Sequence, residues 1–412
     1  MSRNAVVTGI GVVAPSGNSA AHHWDTVLAG ENRLTPIAAF DASRYGCGLA
    51  GQVGGFDPED HIDRKLIVQT DRWTWMSLAA TAQAFADADL DPAQLDPYRM
   101  SVALASSSGG NHFGQREMQR LWTGPNRTVS AYQSIAWFYA ATVGQTSIAH
   151  QMKGPASVVI AEAAGGLDSF AVAARLIRRG ADVVLAGGTE APLSPYALAC
   201  QQSSGWLSPS RDPRRAYRPF DTDATGFVPA EGGAVLVVEE ESHAIARGVP
   251  YIYGEIAGHA ATHDGRRSRP HGVVAEDLPS DQLAAALRLA LDRAGAAATA
   301  VDVLFADALG VPAADRAEAA ALREVFPAGV PVTGQKALLG RAYQGSSALE
   351  VATALLAMRE GLLPAFGTAT PHADLDLIPA ARAADVDVAA VVARGFDGFN
   401  SALILRRHGG MS

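Results

Sequence analysis

The chain is predicted to be an α/β protein of two similar βαβ halves folded around a buried sheet, and three observations carry that prediction. Short β-branched apolar runs alternate with Ala-rich stretches of helical period. A long apolar run flanked by charge ends each half, "EGGAVLVVEEE" ahead of residue 250 and "NSALILRR" near the C-terminus. The 412 residues are 48% apolar and include 41 Gly, enough apolar surface for a large core turned through many tight bends. The join is placed near residue 250, giving an N-terminal half over 1–250 and a C-terminal half over 251–412.

The strands of the first half are read in "NAVVTGIGVV", "MSVALASSS", "ASVVIAE", "ADVVLAGGTE" and "GGAVLVVEEE", with helices near Trp73 to Ala86 and Leu167 to Arg179. After Val249 the style repeats. "PYIYGEIAG" reads as a strand, and "DLPSDQLAAALRLALDRAG" as a helix opened by a Ser or Asp cap. "VDVLFADAL" is a further strand, and "AAVVARGFDGFNSALILRR" is a closing hairpin. The polar, Gly-containing "THDGRRSRPHG" is expected to be a surface loop. "SPSRDPRRAYRPFDTDATGFVPAEGG" is long and irregular, and such loops in compact proteins are functional or pinned at an interface.

The net charge of −9 without a basic block argues against a nucleic-acid partner. No apolar run reaches the roughly 18 to 20 residues that span a bilayer. The N-terminal "AVVTGIGVVAP" is broken by Gly and reads as a strand and its loop, not as a signal peptide, so a cytoplasmic location is expected. Cys47 and Cys200 have no metal or redox spacing and are expected to be free thiols, with Cys200 packed behind "PYALA". His22, His23 and His61 lack partners at metal-ligand spacing and are read as surface or packing residues, so no metal is expected.

The segment "VVIAEAAGGLDSF" poses the functional question. It reads as strand, sharp turn and helix, a place where many enzymes set a nucleophile because the helix amides behind it can receive a developing oxyanion. Yet Glu162, Ala163, Ala164, Gly165 and Gly166 supply no thiol or hydroxyl.

Three separate segments resemble the β-ketoacyl synthase family of the thiolase fold: "VVTGIGVVAPSGN" its N-terminal strand and loop, "RPFDTDATGFVPAEGGAVLVVEE" its mid-chain signature, and "GFDGFNSALILRR" its C-terminal glycine turn and last strand. The resemblance runs over nearly the whole chain and implies a thiolase-like fold, the two βαβ halves forming a five-layered αβαβα core. Active condensing enzymes of that family hold the acyl chain on a Cys and use two His for decarboxylation and the enolate that follows. By the resemblance the Cys position falls on Ala163. The first His position, within "ADALGVPAADRAEA", falls on Asp307. The second, five residues after Lys336 in "QKALLGRAYQG", falls on Arg341. All three positions are altered, which implies a chain without catalytic residues of its own. An Asp at 307 would repel an enolate, while Asp307 and Arg341 could attract each other as a structural neutralisation.

"AEAAGGLD", "FADALGVPAADRAEA" and "GRAYQGSSALEVATALLAMREG" are similar to the β-subunit of aromatic type II polyketide synthases, the chain length factor. Most members carry Gln at the elbow, linked to malonyl decarboxylation. Ala163 cannot hydrogen-bond a carboxylate through its side chain, so that activity is not expected. In this subfamily the segment matching "SSSGGNHFGQREMQRLW" lines the tunnel for the growing chain at the subunit interface. Its gate positions fall on Asn111, Gly114 and Met118, whose spacing of three and then four puts them on one helix face. An amide, a missing side chain and a thioether imply a comparatively deep tunnel; the alternative is an ordinary amphipathic helix with Met118 in the core. Trp137, Phe138 and Tyr139 cannot share one helix face, which fits either a subunit contact or core packing. Arg214, Arg215 and Arg218 could meet an acidic carrier protein or pair with Asp212 and Asp221.

The resemblance therefore implies a non-catalytic chain length factor for polyketide and antibiotic biosynthesis, an inactive subunit of an acyltransferase-class heterodimer. Its implied partners are a catalytic ketosynthase subunit, a transient acyl carrier protein and the growing polyketide chain, with no cofactor. One alternative is a ketosynthase-like decarboxylase or condensing enzyme using non-standard residues such as Glu162, although strand alternation turns Glu162 away from Ala163's side. Another is a homodimeric binding module.

Overall fold

The computed structural model describes residues 3–265, 278–367 and 374–409. The surface loop expected at "THDGRRSRPHG" lies outside the described residues from 266 onward. Among the described residues eleven strands form one sheet. In chain order they are β1 (Ala5–Val13), β2 (Met100–Ala105), β3 (Ala156–Val159), β4 (Val183–Glu190), β5 (Gly232–Glu240), β6 (Gly254–His263), β7 (Val303–Phe305), β8 (Pro331–Thr333), β9 (Asp376–Leu377), β10 (Val388–Arg394) and β11 (Phe399–Arg406). The principal helices are α1 (Arg72–Asp87), α2 (Asn111–Thr123), α3 (Ala141–Ala149), α4 (Ala163–Arg178), α5 (Asp281–Ala294), α6 (Pro312–Val325) and α7 (Tyr343–Glu360).

The strand order across the sheet is β9-β8-β7-β10-β11-β6-β1-β5-β4-β2-β3, and it contains the same pattern twice. In the first half β3, β2 and β4 run parallel, then β5 and β1 add antiparallel. In the second, β8, β7 and β10 run parallel, then β11 and β6 add antiparallel. The two patterns meet where β1 pairs with β6 at Val6↔Glu255 and Val7↔Gly254.

Helices make the remaining layers. α1 and α3 cover the outer face of the first half-sheet, and α5 backed by α6 covers that of the second. α4 packs on β2 and β4 on one side and on β10, β11 and β6 on the other, with α7 beside it. The result is the αβαβα sandwich, with fully buried strands that read as unbroken apolar runs because both faces are covered. The two central helices cross closely: a Cβ at Gly166 would stand 2.2 Å from Ser347 Oγ and 2.5 Å from Gln344 O, so only glycine admits this approach.

Several expectations change in detail. β3 ends at Val159, so Ile160 to Glu162 lie outside the strand, and Ile160 is exposed. β6 starts at Gly254 and runs to His263, further than "PYIYGEIAG" implied. Ser280 stands at the N-cap of α5 without a side-chain capping bond, because its backbone is already helical. Trp137 to Tyr139 are in no helix: they form the turn between the short helix Gln133–Ala136 and α3. Cys200 is exposed rather than packed, being near the outer end of the helix Pro195–Gln202, whereas Cys47 is buried; both are free. His23 is buried between Ser16 and Thr353, while His61 is exposed and stacks on Phe56. Among the described residues no three His, Cys, Asp or Glu are grouped to hold a metal, and no helix is long and apolar enough to cross a membrane.

Candidate functional site

The elbow comes from β3 giving way to α4. Glu162, at the helix N-cap, adopts φ 48° and ψ −137°, a conformation that costs a non-glycine residue about 1–3 kcal/mol. Ala163 follows as the first helical residue, fully buried, its carbonyl accepting from Ser347 Oγ at 2.5 Å. Because Glu162 is outside the strand, β alternation does not govern it. Its carboxylate faces the site and reaches Arg341 Nη2 at 3.4 Å.

Arg341 occupies the centre. Its Nη1 donates to Asp307 Oδ1 at 3.0 Å and its Nη2 to Arg394 O at 2.6 Å. Both Arg341 and Asp307 are buried. The structure thus brings Asp307, Arg341 and the residue preceding Ala163 into one cluster. Burial opposes the charge on Arg341, but Asp307 and Glu162 together raise its pKa, so the guanidinium stays charged. Burial pushes the Glu162 carboxyl up to about 6, against the pull of Arg341 and of the Ala163 amide. The Glu162 carboxylate is thus turned to Arg341 and makes no side-chain capping bond to α4.

Further carboxylates hold this arrangement. Glu318 accepts from the backbone N–H of Asp307 at 2.7 Å and of Ala308 at 2.9 Å, and burial followed by repulsion from Asp307 lifts its pKa to about 7. Asp315 accepts from Phe220 N–H and Gly310 N–H, both at 2.9 Å. Sequence reading passed over both residues, yet a signal existed. In "PAADRAEAAALREV" Asp315 and Glu318 stand three apart among alanines, on the face that α6 buries. Lys336 is equally occupied, with Glu350 Oε1 at 3.1 Å and Ala306 O at 3.0 Å.

What remains open is a cavity of about 40 Å³ walled by Trp206, Asp307, Arg341 and Phe396. A cavity of this size has room for water beside the ion pairs. The Phe396 ring lies 4.9 Å from Trp206 and 6.1 Å from Phe227. The long irregular segment is thereby pinned inward: Phe220 and Phe227 are buried, and Arg341 N–H donates to Val228 O at 2.8 Å. Its arginines are already paired, Arg218 with Asp221 at 2.7 Å, Arg215 with Asp223 at 3.6 Å and Arg214 with Asp212 at 3.8 Å.

The residues read as a tunnel gate lie on α2, apart from this cluster. The loop leading to α2 is tied to the elbow, since Ser106 N–H donates to Val159 O and Glu190 accepts from the N–H groups of Ser107 and Ser108. Asn111 is buried and turns back to donate to Ser108 O at 3.0 Å. Gly114 does not open onto empty space: a Cβ there would meet Trp137 Cδ1 at 3.2 Å. Met118 is not in the core but 47% exposed. Other apolar side chains of these segments are exposed as well, Trp122, Ile135, Trp137, Phe138 and Ile160 all by at least one-third. Tyr139 is half-buried against Trp137. β3 borders this region as the edge strand of the sheet among the described residues. So much clustered apolar surface marks a place where another protein packs.

Family models match in two blocks, beta-ketoacyl synthase N-terminal domain over residues 2–244 and C-terminal domain over 253–369. The chain is 50% identical over 413 residues to the tetracenomycin polyketide synthase ketoacyl synthase beta subunit of Streptomyces glaucescens, covering 98% of each. It is 46% identical over 411 residues to the actinorhodin polyketide putative beta-ketoacyl synthase 2 of Streptomyces coelicolor, again over 98% of each. Among solved structures, the ishigamide ketosynthase/chain length factor superposes with a TM-score of 0.91 at 27% identity, covering 99% of this chain and 100% of that one. A chain of the AntDE:AntF structure, a type II PKS acyl-carrier protein in complex with its ketosynthase bound to the hexaketide, gives a TM-score of 0.88 at 26% identity over 99% of this chain and 100% of that one.

Proposed function

The chain belongs to the β-ketoacyl synthase family, and we propose that it is a chain length factor, the non-catalytic β-subunit of a type II polyketide synthase. It pairs with a catalytic ketosynthase and shapes the tunnel in which that enzyme extends its chain, within a cytoplasmic assembly served by an acyl carrier protein. One observation carries this reading: Arg341, ion-paired to Asp307 and Glu162, fills the site beside an elbow whose tip is Ala163. Ala163 cannot form a thioester, and the guanidinium beside it is already neutralised by two carboxylates of the same chain. The exposed apolar surface from Met118 to Ile160, edged by β3, supplies the face for a ketosynthase. Asn111, Gly114 and Met118 lie on that side, and we assign them to the tunnel wall.

Co-expression with a type II ketosynthase should give a stable 1:1 complex, whereas the chain alone should be poorly soluble. A soluble, monodisperse homodimer of this chain would overturn the reading.

One observation favours a second reading. Glu162 sits at the elbow with its carboxyl raised to about 6 and directed into the site, which is the equipment of an acid or base. A decarboxylase or condensing enzyme built on it would act on malonyl carrier protein without a partner, and Glu162→Gln would abolish the activity.

A further inference from the structure

We propose, resting on the chain length factor reading above, that Trp137 and not residue 114 is the side chain that limits tunnel depth along α2. Gly114 contributes no side chain, and the indole of Trp137 uses the space beside it. A Cβ at 114 would stand 3.2 Å from Trp137 Cδ1 and 3.7 Å from its Nε1, with Gln133 Nε2 at 3.8 Å. The position left blank in the sequence is filled in the fold by a residue from another segment.

The backbone that carries the indole cannot retreat. A Cβ at Gly110 would lie 2.0 Å from Ala136 O, and one at Gly109 would lie 2.7 Å from Trp137 O. The two glycines thus let residues 136–137 press directly on the start of α2. At the other end of the segment, Ser130 N–H donates to Glu117 Oε2 at 2.7 Å, and Glu117 is itself buried. The side chain is the part left open. Trp137 is 47% exposed, its ring 6.1 Å from Tyr139 and tilted 42° to it. An indole on a fixed backbone, open on one side to the apolar surface, is a stop whose place is set by its rotamer. A side chain at 114 would not plug an empty tunnel; it would compete with Trp137 for one slot.

Each two-carbon unit takes about 2.5 Å of tunnel, on the scale of extended-chain geometry. Removing the indole therefore admits at least one more extension. The test uses heterodimers of full-length chains, each co-purified with the ketosynthase, and reads released chains by mass spectrometry. Trp137→Ala is expected to lengthen products by one or more two-carbon units, and Trp137→Phe to lengthen them less. Gly114→Leu in the Trp137→Ala background should refill the slot and return products toward native length. Met118→Phe serves as the control for the tunnel itself. If Trp137→Ala and Trp137→Phe complexes assemble and give native lengths while Met118→Phe shortens them, the tunnel stands and the role of Trp137 is refuted. If no variant changes length in an intact complex, the tunnel reading fails with it. If Trp137→Ala does not assemble, Trp137→Phe decides: longer products support the stop, and native lengths refute it.

Discussion

Arg341→Met is the substitution whose cost follows most directly from the geometry. It leaves Asp307 buried near Glu162 with the guanidinium gone, two carboxyl groups without their shared cation. Removing one member of a buried ion pair costs about 3–5 kcal/mol, because the partner is left uncompensated. Part of that cost is relieved by protonation. The Glu162 carboxyl already titrates near 6, raised by burial even with Arg341 present, so without Arg341 it takes up a proton at neutral pH. Protonation caps what a buried carboxyl can cost at about 1.4 kcal/mol for each pH unit between its ordinary pKa and the working pH, which puts the expected loss near the lower bound, about 3 kcal/mol. The double variant Arg341→Met/Asp307→Asn carries no unpaired charge at these positions and should recover about 2 kcal/mol of it. The measurement is a double-mutant cycle on the purified heterodimer, comparing denaturant midpoints for the parent, the two single variants and the double. Arg341→Met within about 0.5 kcal/mol of the parent, or a double variant no better than the single one, would refute the argument that this cluster is held by mutual neutralisation.

Glu162 also sets a pH dependence. Its folded-state pKa of about 6 lies above the ordinary 4.5, so its stabilising contribution is present below pH 4.5 and is lost as pH rises through 6, about 2 kcal/mol in all. Glu162→Gln should flatten that decline in unfolding experiments run across the window; an unchanged slope would exclude Glu162 as its source. Ala163→Cys alone should not become acylated by a thioester or restore condensation, since Asp307 and Arg341 remain where histidines would serve, and intact-mass measurement checks this. Ile160→Lys, a charge placed beside the β3 edge, should weaken the heterodimer by about 2 kcal/mol, near thirtyfold in affinity, as read by sedimentation or gel filtration. Met118→Phe should leave the complex assembled and shorten its products.

The main strands, the Ala-rich helices, the duplicated pattern and the loss of a nucleophile at Ala163 were legible in the order of residues. Those features are written in local periodicity and in residue identity: an apolar run of alternating or helical period must be covered on one face or two, and an alanine has no reactive atom wherever it is placed. Where segments distant in sequence meet is set by packing and is not written locally. Glu162 was read as the end of a strand, yet β3 stops at Val159 and the backbone turns to φ 48°, because α4 must enter the central layer at that point. Alternation cannot report where a strand ends. Gly114 read as open space because a single position shows only its own side chain, and Trp137 is delivered to it by a different turn of the chain. Asp307, Arg341 and Glu162 come from three separate segments, so their mutual neutralisation was only a possibility until packing fixed their distances at 3.0 and 3.4 Å. Electrostatic partnership and steric occupancy are properties of through-space neighbours, and the two half-sheets and the helices between them determine which residues those are.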